Sequence, residues 1–161
     1  ALEWRVLSNL MPIAINNDKI VLSSEKKTEE LAFKLSQKLK PGNIVFLYGE
    51  MGVGKTTFIR YLINEIQKQN KSKITEVTSP TFNILNEYQI EKIKINHYDL
   101  FRLKLENEIK NLDLFSDKSI SLTLIEWPQI IKEKPENLVE LIFEYEKDYK
   151  KRSVQIKGLK L

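Results

Sequence analysis

The chain contains no cysteine. Disulfides, thiolate metal sites and cysteine nucleophiles are therefore excluded, and the composition suits a reducing cytoplasm. Histidine occurs once, as His97. It alternates with Ile93 and Ile95, the pattern of a packed strand histidine rather than a catalytic base. No apolar run approaches the ~20 residues of a membrane span. The opening Ala1-Leu-Glu-Trp-Arg5 carries Glu3 and Arg5 with no apolar core behind them, so it is not expected to act as a signal peptide. Arginine is sparse: Arg5, Arg60, Arg102 and Arg152 are the only four among 26 basic residues. The net charge of +4 comes mainly from lysines dispersed among glutamates, the pattern of a solvated surface rather than of a nucleic-acid patch. Internal repeats, low-complexity blocks and linkers are absent too.

Glycine is also rare, yet three of the five glycines fall in one nine-residue stretch, Gly49-Glu-Met-Gly-Val-Gly-Lys-Thr-Thr57. This is a complete phosphate-binding loop of the pattern G-x-x-x-x-G-K-[ST], which needs a buried strand before it and a helix after it. Asn43 to Tyr48 is short, apolar and β-branched, as a buried strand should be. Thr56 to Gln69 carries Phe58, Ile59, Leu62, Ile63 and Ile66 at helical spacing. The expected phosphate cradle comprises Glu50, Met51, Gly52, Val53, Gly54, Lys55, Thr56 and Thr57. Its backbone N–H groups and the helix N-terminus favour an anion. Lys55 supplies a cation for the outer phosphates, and the Thr56 hydroxyl is suited to Mg²⁺.

The length of 161 residues fits one domain with a substantial core. Residues 1–18 show no clear period and read as an extension or edge element, leaving 19–161 as the single domain. Along it the patterns predict a strand at Lys19–Ser23 and a helix at Glu25–Leu39 capped by Ser24. They predict a hairpin of Asn83–Ile90 and Ile93–His97 turning at Glu91-Lys92, and a helix near Leu105–Phe115. A core strand is expected at Ser119–Glu126, a short helix or loop between Pro128 and Pro135, and a closing hairpin of Leu138–Glu146 and Ser153–Leu159. The sum is an α/β, P-loop NTPase-like three-layer sandwich with a mixed, partly parallel sheet.

Phosphoryl transfer needs a carboxylate beside the metal and a group that orients the attacking water. Acidic residues at the ends of apolar strands are the candidates, because strand ends border the ligand crevice of an open α/β sheet. Glu126 ends one such strand and Asp99 follows another. Each is equally readable as a capping or surface carboxylate. Thr78-Ser-Pro-Thr-Phe82 falls where phosphate-loop proteins place a γ-phosphate sensor, and it also reads as an ordinary Ser/Thr/Pro turn. Trp127 belongs either to the core or to the edge of the nucleotide pocket. Only Arg102 stands near a candidate residue.

Taken together, Gly49–Thr57, Thr78-Ser-Pro-Thr-Phe82, His97-Tyr-Asp-Leu-Phe-Arg102 and Ile125-Glu-Trp-Pro128, in this order, closely resemble the TsaE (YjeE) family. These are small bacterial ATPases of the pathway that makes N6-threonylcarbamoyladenosine on tRNA. The resemblance spans about Lys19 to Leu159. It implies ATP as nucleotide, Mg²⁺ held by Thr56 and Glu126, Asp99 and Lys55 needed for hydrolysis, and Trp127 near the site. It also implies the TsaD–TsaB pair as protein partner, with tRNA met only through that complex, no membrane association, and a cytoplasmic location. TsaD would perform the transfer, and this chain would be an accessory ATPase that resets the machine between turnovers.

Other readings are weaker. A GTPase needs an Asn/Thr-Lys-x-Asp segment, and the nearest string, Asn70-Lys-Ser-Lys73, lacks the aspartate. A small phosphate-loop kinase usually carries an arginine-rich lid, which four scattered arginines do not supply. A nucleotide-gated binding module without functional turnover stays open, since a slow ATPase and a switch share the same loop.

Overall fold

The computed structural model describes residues 19–80, 82–116, 121–147 and 149–161. The proposed extension at residues 1–18 lies outside them. The chain runs through β1 (Lys19–Leu22), α1 (Glu25–Lys38), β2 (Ile44–Tyr48), α2 (Lys55–Gln69), β3 (Leu85–Ile90) and β4 (Ile93–Asp99). It continues through α3 (Glu106–Leu112), β5 (Ser121–Glu126), a 3-10 turn at Pro128–Ile130, β6 (Leu138–Tyr145) and β7 (Arg152–Lys157).

Local chemistry explains most of the boundaries. The Ser24 hydroxyl accepts the Lys27 N–H at 3.3 Å, satisfying one of the free donors at the start of α1. Glu25 in its first turn and Lys38 in its last suit the helix dipole. The predicted helix Leu105–Phe115 is shorter than expected, because Asp113 turns left-handed (φ 52°) and caps α3. The strand expected from Asn83 starts at Leu85, after Ile84 at φ 67°, whose N–H donates to the Pro80 carbonyl at 2.9 Å. The next strand continues past His97 to Asp99, since β4 pairs in parallel with β5 up to the register pair Asp99–Glu126. Part of the expected start of β5 lies outside the described residues.

The seven strands of the described residues form one sheet in the order β1-β7-β6-β2-β5-β4-β3. The central four, β6, β2, β5 and β4, are parallel; β3, β7 and β1 pair antiparallel at the flanks. Alternation along β2 divides the interior in two. Val45 and Leu47 face a core shared with α1 and α2, which contribute Leu31, Leu35, Phe58, Leu62 and Ile63. Ile44 and Phe46 face a second core with Tyr98, Ile109 of α3 and Ile125. These are the three layers of an α/β sandwich. Among the described residues no helix is long and apolar enough to cross a membrane.

This topology places the site. Parallel strands bring their carboxyl ends to one edge of the sheet. The loop after β2, Asp99 at the end of β4 and Glu126 at the end of β5 all meet there. Because β7 runs the other way, its first residue, Arg152, reaches the same edge from the far side, where it pairs with Tyr145 and Leu22.

Candidate functional site

Between β2 and α2 the backbone curls tightly. Gly49 has φ 147°, and a Cβ there would lie 2.8 Å from the Phe143 carbonyl oxygen, so only glycine lets the loop press against β6. Gly54 is left-handed (φ 112°) and starts α2. Met51 through Thr57 line a cavity of about 490 Å³ at this edge. Of the expected cradle, Glu50 is exposed and does not line it; its carbonyl accepts the Val53 N–H at 3.2 Å. Lys55 is buried, its ammonium donating to the Gly49 carbonyl and lying 3.7 Å from the centroid of the Trp127 ring. Burial lowers the Lys55 pKa, while Glu126 and Asp99 nearby pull it back up.

The carboxylates come from the two neighbouring strands. Glu126 is 2 % exposed and carries two side-chain hydrogen bonds. Its Oε1 accepts from the Thr56 hydroxyl at 3.1 Å, and its Oε2 lies 2.7 Å from His97 Nε2. His97 is wholly buried and its Nδ1 has no partner. A carboxylate oxygen only accepts, so His97 Nε2 carries the hydrogen of this bond and donates it to Glu126. Asp99 sits beside them. Its Oδ1 accepts the Phe101 N–H at 3.0 Å and its Oδ2 the Ser79 hydroxyl at 3.3 Å. Burial raises the Asp99 pKa; the Phe101 N–H lowers it, and Glu126 adds to the rise. Ser79 thus ties the Thr78–Phe82 segment to the site, although Thr81 lies outside the described residues. Trp127 settles at the cavity wall: its left-handed backbone (φ 57°) turns the chain after Glu126, and Phe101 packs on it at 4.8 Å.

The opposite wall is built by Leu22, Glu25, Thr28, Phe143 and Arg152. Arg102, the one arginine near the sequence candidates, lies over the Phe82 ring at 4.4 Å and does not line the cavity. Two residues of consequence escaped sequence reasoning. His97 reads as packing, which it is, but its ring also fixes Glu126. Arg152 carries no motif; its closing-hairpin position was the only available signal.

These groups fit a nucleoside triphosphate with a hard divalent cation. Lys55 is a buried ammonium held by a neutral carbonyl and an aromatic face, an arrangement an anion would complete. Thr56 and Glu126 offer hard oxygen donors. Among the described residues there is no cluster of three metal-ligating side chains. Mg²⁺ is a hard cation that needs only one or two such protein oxygens, its remaining ligands being waters and substrate phosphates.

The family model of threonylcarbamoyl adenosine biosynthesis protein TsaE matches residues 22–154. The tRNA threonylcarbamoyladenosine biosynthesis protein TsaE of Rickettsia bellii is 44% identical over 126 residues, 78% of this chain and 85% of that protein. The protein of the same name from Rickettsia felis is 43% identical over 113 residues, 70% of this chain and 64% of the relative's longer chain. In fold, the chain is similar to the crystal structure of Bacillus subtilis YdiB, with a TM-score of 0.64 and 21% identity, covering 90% of this chain and 86% of that one.

Proposed function

Because this chain belongs to the family of threonylcarbamoyl adenosine biosynthesis protein TsaE, we propose that it is a Mg²⁺-dependent ATPase of low intrinsic rate. It would serve tRNA N6-threonylcarbamoyladenosine formation by resetting the TsaD–TsaB pair between turnovers. One observation carries the hydrolytic part of this reading. Lys55, the Thr56–Glu126 hydrogen bond and the half-buried Asp99 converge on one cavity edged by the phosphate loop.

Each residue has a distinct task in this proposal. The loop N–H groups and Lys55 hold the outer phosphates of ATP. Thr56 and Glu126 would hold Mg²⁺, which when bound neutralises charge on the phosphates. His97 keeps the Glu126 carboxylate aimed, through the 2.7 Å hydrogen bond. Asp99 orients the attacking water, and its raised pKa suits a group that takes up a proton as phosphate is released. The water oxygen bonds to the γ-phosphorus while the bond to ADP breaks. Partner, cofactors and cytoplasmic location are part of the same proposal.

Two titrations test it. Phosphate release is measured against added TsaD–TsaB, and TsaD–TsaB affinity is measured with an ATP analogue, with ADP and without nucleotide. The rate should rise with partner, and ATP should strengthen docking, because binding couplings are reciprocal. Glu126→Gln should lower Mg²⁺-dependent release at least about tenfold. A rate indifferent to partner, with equal affinity in all three nucleotide states, would refute the resetting role. Tight nucleotide-dependent docking without turnover would make the protein a binding module.

A further inference from the structure

We infer that Arg152 binds the phosphate chain of the nucleotide from the flank opposite Glu126 and Asp99. The inference rests on the nucleotide reading above and extends it to a residue outside every motif. In the sheet order, β5 and β4 lie to one side of the phosphate-loop strand β2, and β6 and β7 to the other. Glu126 and Asp99 end the first pair, whereas Arg152 opens β7 on the second, and all three line the same cavity.

The arginine is held against the loop but left incomplete. Its Nη2 lies 3.5 Å from the Gly52 carbonyl, a marginal hydrogen bond. Its Cδ lies 3.5 Å from where a Cβ on Gly54 would be, so the stem rests on the start of α2. Its cross-strand partner Tyr145 supports it, with the guanidinium 5.7 Å from the ring centroid and the Tyr145 hydroxyl 3.5 Å from the Met51 carbonyl. Nε is buried without a partner. Glu25, which lines the same cavity, is taken by Arg60 at 3.0 Å and by the Tyr61 hydroxyl at 2.6 Å. Among the described residues Arg152 has no ion pair. A guanidinium with an idle buried donor and no carboxylate, at the rim of an anion cradle, is arranged for phosphate.

Position then decides which step it serves. Lying away from Asp99 and Glu126, Arg152 holds bound nucleotide and does not stabilise charge that develops at the reacting end. ADP should therefore feel it as strongly as ATP.

The test is calorimetric titration of ADP and of ATP into wild type, Arg152→Gln and Arg152→Lys, with Lys55→Ala as reference and melting of each protein without ligand. Arg152→Gln should weaken both nucleotides by about tenfold and by the same factor, the share of one charge-assisted hydrogen bond. Arg152→Lys, which keeps the charge, should recover most of the loss. Undiminished affinity in Arg152→Gln overturns the inference, as does a loss confined to ATP. Equal weakening in Gln and Lys variants would assign Arg152 to bracing the loop and overturns it too. Should Arg152→Gln melt far below wild type, the Lys variant carries the comparison by itself: affinity near wild type supports the inference, and a full loss overturns it. If wild type itself binds neither nucleotide, the functional reading fails at its root; if wild type binds and Lys55→Ala does not, a normal Arg152→Gln sinks this inference alone.

Discussion

Replacing His97 by leucine removes one hydrogen bond from Glu126 while filling much of the same volume. The magnitude follows from the geometry. The His97 Nε2–H donates to a carboxylate at 2.7 Å, and both side chains are essentially sealed from water, 0 % and 2 % exposed. Charge-assisted bonds of this kind contribute about 1.5–3 kcal/mol, and water cannot replace the lost donor. For a chain of this size that corresponds to a fall in melting midpoint of roughly 3–12 °C. Glu126 would keep its 3.1 Å bond from Thr56 but lose its second anchor. Outer-sphere partners of metal-binding groups are typically worth about 10–100-fold in metal affinity or activity. His97→Leu should therefore raise the Mg²⁺ concentration needed for half-maximal ATP hydrolysis by about that factor. Metal-free ADP affinity, set by the loop, should hardly change. His97→Gln can present an amide N–H near the position of Nε2 and should recover part of both losses. The assays are Mg²⁺ titrations of phosphate release and thermal melting on all three proteins. Leucine and glutamine variants with the same Mg²⁺ requirement as wild type would refute the reasoning, because His97 would then be packing and nothing more.

Lys55→Ala should weaken ATP binding by at least about a hundredfold without lowering the melting midpoint, since burial already disfavours this ammonium. In a Trp4→Phe background, ATP should also change Trp127 emission in the protein with Lys55 intact, because the ammonium now over the indole would turn to phosphate; a silent Trp127 contradicts this. Asp99→Asn should lower hydrolysis at least about tenfold yet raise the melting midpoint near pH 7. The sign follows from the raised folded-state pKa: stability contributed by protonated Asp99 is lost as pH rises through that value, so ionised Asp99 is a cost at neutrality. The gain should vanish below the ordinary carboxylate range, where both states are protonated. An unchanged or lowered midpoint at pH 7 would show that the Phe101 and Ser79 bonds outweigh burial.

What could be read in advance depended on how far each signal extends along the chain. The phosphate loop is contiguous, and its strand and helix flanks are written in nearest-neighbour periodicity, so that part of the site was legible. Asp99 and Glu126 were legible as acids ending apolar strands, although their adjacency comes from the β4–β5 register. Alternation predicted the burial of His97, but its partner lies 29 residues away and was out of reach. Arg152 meets Gly52 across 100 residues, through a strand order that no local pattern encodes. Helix and strand limits shifted where one residue adopted a left-handed backbone, as at Ile84 and Asp113, neither of them glycine.

The placement of β2 has a consequence for biosynthesis. Both of its hydrogen-bonded neighbours, β5 and β6, are encoded after it. A nascent chain emerging from the ribosome has β2, the loop and α2 long before residues 121–145 exist to flank them. Until then β2 is an apolar strand with two open edges, the kind of surface that pairs wrongly or recruits chaperones. Closing the parallel block needs contacts across about 80 residues to β5 and about 95 to β6, which makes it a slow, late event. The cavity edged by the phosphate loop is therefore completed near the end of synthesis, and a chain truncated between α2 and β6 carries the whole loop motif without the strands that wall the cavity.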